Sequence, residues 1–133
     1  MIFADASALI AIIAGEPEAD SLADLMESER TRLCSAPSAW ETIAGLCRSC
    51  MFSVPAARTH VRRFLEAGAF RFVGIGERVR TRGGRIRLSN GKGRRPAALN
   101  MGDCFAYACA KANRARLLFK GDDFAKTDIA SAD

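Results

Sequence analysis

The residues of this chain best suited to chemistry are acids placed at the edges of apolar runs. Asp5 follows the apolar Met1-Ile2-Phe3-Ala4, and Asp103 heads a run in which Phe105, Ala106, Ala108, Cys109 and Ala112 recur at helical spacing. Glu41 lies early in a second amphipathic stretch, and Asp122 and Asp123 follow Leu117-Leu118-Phe119. Carboxylates gathered in one place repel each other and stay ionised only beside a cation. Mg²⁺ suits them: it takes oxygen ligands, keeps several waters and is usually bound through one or two carboxylates plus a phosphate. An ion of that kind polarises a phosphodiester, activates water and stabilises the leaving oxygen. The plainer explanation is that each acid serves only as a cap or first-turn charge at a helix N-terminus, where the dipole favours negative charge.

Competing chemistries are thinly represented. The one histidine, His60, stands alone, and Cys47-x-x-Cys50 is half of a zinc or redox motif whose other half is missing. Gly91-Lys92-Gly93-Arg94 lacks the spacing of a phosphate-binding Walker loop and has no Ser or Thr after the lysine. The five cysteines, Cys34, Cys47, Cys50, Cys104 and Cys109, are odd in number and irregularly spaced. They read as reduced structural thiols of a cytoplasmic protein. The N-terminus reaches an acid at once and has no basic segment, so it does not read as a signal peptide. No apolar stretch approaches the roughly 20 residues of a membrane span.

To bring the acids together, the chain must be wound as strands alternating with helices. Met1–Ala4 reads as a buried strand, followed by a short helix from Ser7 that Asp5 or Ser7 can cap and Gly15 can end. Glu18–Arg30 is amphipathic, Leu33–Ala36 is a second strand, and Pro37 stops it from continuing. Ser38 can cap a helix over Ala39–Phe52 that would turn Trp40, Ile43, Ala44, Leu46 and Cys47 inward and hold Glu41 in its first turn. A further helix is expected over Ala56–Ala67, a strand over Phe70–Ile75, the Asp103 helix to about Asn113, and a last strand over Arg116–Lys120. This alternation implies one α/β domain over residues 1–133 with a parallel sheet and right-handed crossovers. In such a sheet ligands bind beyond the carboxyl ends of the strands, where these acids fall.

Charge supplies a second clue. Lys and Arg number 20 against 15 Asp and Glu, a formal net charge of +5. Eight of the basic residues fall between Gly76 and Pro96: Arg78, Arg80, Arg82, Arg85, Arg87, Lys92, Arg94 and Arg95. With Gly83-Gly84 in its middle, this segment reads as a basic loop rather than a helix, each interior glycine costing about 1 kcal/mol relative to alanine. It is either a solvated surface or an arm for a phosphate backbone.

The motifs themselves resemble a known family. Ile2-Phe3-Ala4-Asp5-Ala6-Ser7-Ala8-Leu9 resembles the opening of PIN-domain proteins. Gly91–Arg94, Leu99-Asn100-Met101-Gly102-Asp103-Cys104, Leu117–Phe124 and Thr127-Asp128-Ile129 look like the VapC toxins of bacterial toxin–antitoxin pairs. The resemblance implies a PIN-like three-layer α/β/α fold with a central four- to five-stranded parallel sheet. It also implies a Mg²⁺- or Mn²⁺-dependent endoribonuclease acting on structured RNA (transfer or ribosomal), a VapB-type antitoxin that neutralises it, and a homodimer. Carried over by position, Asp5 and Asp103 are the main metal ligands, with Glu41 and Asp122 completing the catalytic acids and Asp123 the second choice for the fourth. Ser7 and Asn100 are accessory, and Arg85, Arg87, Lys92, Arg94 and Arg95 would grip the RNA backbone. Ala6 departs from the hydroxyl residue frequent in relatives, and the Gly76–Asn90 segment departs from their amphipathic helix.

Two other classes compete with a nuclease. A basic RNA-binding module of the same fold would bind RNA with a salt slope and not cut it. A phosphatase-like or receiver-like α/β protein would need a second acid two residues after Asp5, where Ser7 stands, or paired acids ahead of an internal strand, which are absent.

Overall fold

The computed structural model describes residues 1–90, 99–129 and 131–132, without the side chains of 84 and 86–90. Four parallel strands form its sheet: β1 (Ile2–Ala4), β2 (Arg32–Cys34), β3 (Arg71–Phe72) and β4 (Arg116–Leu118), in the order β3-β2-β1-β4. The chain therefore winds outward from β1 to β3 and then returns to place β4 on the other side of β1. The β1–β4 seam, with Ala4 opposite Leu118, is the point at which the winding reverses.

Alternation along the strands sorts the two faces. Phe3, Leu33 and Leu117 point to α5 (Glu77–Asn90) and α6 (Met101–Asn113), packing with Val79, Cys104 and Cys109. On the opposite face lie α1 (Ala6–Ala14), α2 (Ala19–Glu27), α3 (Ala36–Ser49) and α4 (Val54–Ala67). Ile2 and Leu118 meet Leu22 and Met26 there, while Ala4 and Cys34 meet Leu9, Leu46 and Val61. The result is three layers, α/β/α. The strands are short and buried on both faces, as their apolar runs require.

Several local expectations are corrected. Ser35, not Ser38, caps α3, its hydroxyl accepting from the Ser38 N–H at 3.3 Å. The helix thus starts three residues earlier, with Pro37 in its first turn, where the missing N–H is harmless. Glu41 consequently occupies the second turn rather than the first. The strand expected over Phe70–Ile75 shrinks to Arg71–Phe72, an exposed edge. Trp40, expected to face inward, is 68 % exposed. Ser38, Thr42, Gly45 and Leu46 define the buried stripe of α3, and Trp40 lies outside it.

The largest correction concerns Gly76–Asn90, where the expected loop is the helix α5. Tertiary packing overrides propensity: α5 lies along α6, burying Val79, and Gly83 faces the Ala108 methyl and the Cys104 carbonyl. A Cβ on Gly83 would stand 3.8 Å from both, so the seam is close enough to dock the helix without demanding a glycine.

Candidate active site

Asp5 ends β1 and caps α1. One carboxylate oxygen accepts from the Ser7 N–H at 3.0 Å and from the Ser7 hydroxyl at 2.6 Å. The same hydroxyl accepts from the Lys120 N–H at 3.0 Å, just beyond β4. Ser7 therefore ties the ends of the two strands at the point of reversal, and Asp5 is held across it at 4 % exposure. Burial pushes the Asp5 carboxyl above its usual range, the Ser7 hydrogen bonds pull it back, and repulsion from Asp123 adds to the rise.

Asp103 is the third residue of α6. Its carboxylate accepts from the Asn100 N–H at 2.8 Å, while the Asn100 side chain accepts from the Asp103 N–H at 2.9 Å. This reciprocal pair is a capping box. Asn100 thus fixes both the start of α6 and the orientation of its acid.

Glu41 reaches the same place from α3. Its carboxylate packs against the α-carbon of Gly102, so closely that a Cβ there would collide with both oxygens. Burial pushes Glu41 up to about 6, with repulsion from Asp5 and then Asp103 adding and Arg48 opposing. Glu41 therefore senses the charge of two acids from two other elements, Asp5 and Asp103. Of the adjacent pair after β4, it is Asp123 whose charge bears on Asp5; both residues are exposed.

Among the described residues, no three acidic, histidine or cysteine side chains stand close enough to share one ion. Carboxylate oxygens that repel Glu41 from two sides still fit a hard cation held through one or two of them, with water supplying the other ligands. The thiols fit no such role. All five are free, and burial pushes Cys34 up to about 12 and Cys109 up to about 11, far from reactive thiolates. A groove of about 690 Å³ between α3, α4 and β3 is lined by Ile43, Val61, Leu65 and Phe70, and none of Asp5, Glu41, Asp103, Asp122 and Asp123 borders it.

The coupling of Glu41 gives a stability signature in metal-free buffer. Its folded pKa lies above the usual 4.5, so between pH 4.5 and 6 the folded chain binds more protons than the unfolded one. This group's contribution is then fully present below pH 4.5 and is lost as pH rises through 6. Thermal melts across that window should show Glu41→Gln losing less stability than the parent as pH rises. Parallel curves would show that the Glu41 pKa is not raised.

The basic residues are placed unevenly. Arg78, Arg80, Arg82 and Arg85 are exposed on α5, with Arg80 paired to Glu77 at 2.7 Å. The Arg87 side chain, and Lys92, Arg94 and Arg95 entirely, lie outside the described residues. What the sequence reading missed is contact geometry: the Ser7–Lys120 link, the Glu41–Gly102 contact and the outward Trp40. The glycine before Asp103 is the signal in the sequence that could have pointed to the Glu41 contact.

A fold with its acids at a reversal of sheet order is shared by many proteins, and comparison narrows it. The PIN domain profile matches residues 2–130. The chain belongs to the PIN-domain family. Within it, Ribonuclease VapC30 of Mycobacterium tuberculosis is 37 % identical over 127 residues, covering 96 % of this chain and 95 % of that protein. A VapC ribonuclease of Rhizobium meliloti is 33 % identical over 141 residues, covering 97 % and 99 %. Among solved structures, the Mycobacterium tuberculosis VapC20, described as a Sarcin-Ricin loop cleaving toxin, superposes with a TM-score of 0.78. The match covers 98 % of this chain and 97 % of that one at 16 % identity. A toxin–antitoxin complex from Klebsiella pneumoniae gives 0.70 at 19 % identity, covering 96 % and 93 %. This PIN domain is thus a VapC-type ribonuclease. Among its described residues no helix is long and apolar enough to cross a membrane.

Proposed function

We propose that this chain is the toxin of a VapBC-type pair, a divalent-metal-dependent endoribonuclease that cuts structured RNA and is silenced by a cognate antitoxin. The observation that carries this reading is that Glu41 of α3 is repelled by both Asp5, at the end of β1, and Asp103, at the head of α6. Asp5 and Asp103 would hold Mg²⁺ or Mn²⁺, with Glu41 beside them and the fourth acid supplied after β4. Asp123 is favoured over Asp122 because its charge reaches Asp5. When bound, the ion supplies Lewis acidity for phosphodiester hydrolysis and charge to neutralise the acids.

The chain's own residues do the positioning. Ser7 fixes the Asp5 oxygen, Asn100 fixes Asp103, and Gly102 leaves room for Glu41. Glu41, repelled by Asp5 and Asp103, would act beside the ion, directly or through water. The arginines of α5 offer an RNA backbone a sequence-independent grip. Antitoxin binding is supported by the antitoxin complex of the Klebsiella neighbour. Homodimerisation and a cytoplasmic location complete the proposal.

The test is incubation of the purified protein with total cellular RNA in Mg²⁺, in Mn²⁺ and in EDTA, beside Asp103→Asn. Discrete fragments that vanish with EDTA and in the variant are expected. RNA binding with a salt slope but without cleavage would instead establish the non-catalytic module.

A further inference from the structure

Trp40 is the residue that the active site leaves unexplained. It is the only tryptophan in the chain, it is 68 % exposed, and it directly precedes Glu41 on α3. Across the Glu41–Gly102 contact, Met101 directly precedes Gly102 on α6 and is 66 % exposed. Two large apolar side chains, from two different helices and each one residue before a member of the Glu41–Gly102 contact, are thus exposed to water. Neither helix needs them there. The core stripe of α3 runs through Ser38, Thr42, Gly45 and Leu46, and that of α6 through Cys104, Ala108 and Cys109.

Building on the ribonuclease reading, we propose that the exposed Trp40 is the stacking platform for an unpaired base of the RNA next to the scissile phosphate. RNA cut in a loop offers bases that are splayed out, and recognition of such bases relies on aromatic faces. An indole stacks on any base, because every base has a π-face. Placement one residue from Glu41 gives the platform a use that a remote aromatic would lack. It would seat one nucleotide against α3 and thereby bring the adjoining phosphate to the acids, making Trp40 a positioning residue. The alternative occupant, a second copy of the chain, would bury the same indole without RNA.

Because no other tryptophan contributes, the emission of the full-length protein reports on Trp40 directly. The titration is run in EDTA, so that nothing is cut. The probes are an RNA stem-loop with an unpaired loop and the same sequence closed into a duplex, with labelled-RNA anisotropy measuring binding in parallel. Quenching by the stem-loop, much weaker with the duplex, is expected. Trp40→Ala should bind the stem-loop roughly 5- to 150-fold more weakly, while Trp40→Phe retains most of the affinity. Circular-dichroism melts of both variants confirm that they fold.

Two results would overturn the proposal. One is unchanged emission while anisotropy shows the stem-loop bound. The other is emission that follows protein concentration alone, which would assign Trp40 to a contact between copies. The nuclease reading stands or falls separately on Asp103→Asn. If that variant is inactive and Trp40 is silent, only the platform is lost; if it cleaves normally, the nuclease assignment is lost whatever Trp40 does.

Discussion

Asp5→Asn should lower RNA cleavage by at least about 100-fold while leaving the melting temperature no lower than the parent's. The two effects have separate physical origins. Removing one side chain that fixes the reacting charge in an active site typically lowers turnover by a factor of about 10² to 10³. Stability follows different terms. Asparagine caps helices as well as aspartate does, and its side-chain oxygen can still accept from the Ser7 N–H and hydroxyl. The substitution also removes a buried charge whose desolvation raises its pKa and whose repulsion is felt by Glu41. Cleavage rates and thermal melts on one preparation check both halves. Near-parental cleavage would end the assignment of Asp5 as a reacting-site acid; a large drop in melting temperature would mean that its cap is irreplaceable.

Gly102→Ala should produce the same separation by a different route. Gly102 is the second residue of α6, where alanine is favoured over glycine by roughly 0.5–1 kcal/mol. On backbone grounds the variant ought to be slightly more stable. The new methyl, however, would collide with both carboxylate oxygens of Glu41, which must swing away. A displacement of about 1 Å in an active site can lower the rate about 100-fold. The expected variant is therefore as stable as the parent and much slower. Unimpaired cleavage would show that Glu41 is not needed where it sits. Such a trade of activity for stability is common where a site holds repelling charges together.

How far the sequence disclosed this arrangement can be judged residue by residue. Asp5 and Asp103 stand out in the sequence because each falls at the boundary of an apolar run, whereas Glu41 lies inside α3 and, like the site roles of all three, is picked out by the family resemblance. The β1–β4 reversal stands out less, since strand order is a long-range property that no local window contains. Trp40 was misjudged because an aromatic residue in an amphipathic segment is usually core, and moving the start of α3 back to Ala36 was needed to see the buried stripe run elsewhere. The helix α5 was missed because Gly83-Gly84 and a dense row of arginines speak against it locally. What holds it is α6, about twenty residues further along the chain.

That dependence has a consequence for the positive surface. A helix with poor intrinsic propensity does not exist first and dock later; its folding and its docking are a single event. The arginines of α5 are therefore aligned only while Val79 and Gly83 rest on α6, the element that also carries Asp103. An opening of that seam would scatter the cationic row without disturbing the sheet, because Phe3, Leu33 and Leu117 would still lie under α6. The alignment of this cationic face is thus set by an uncharged seam beneath it.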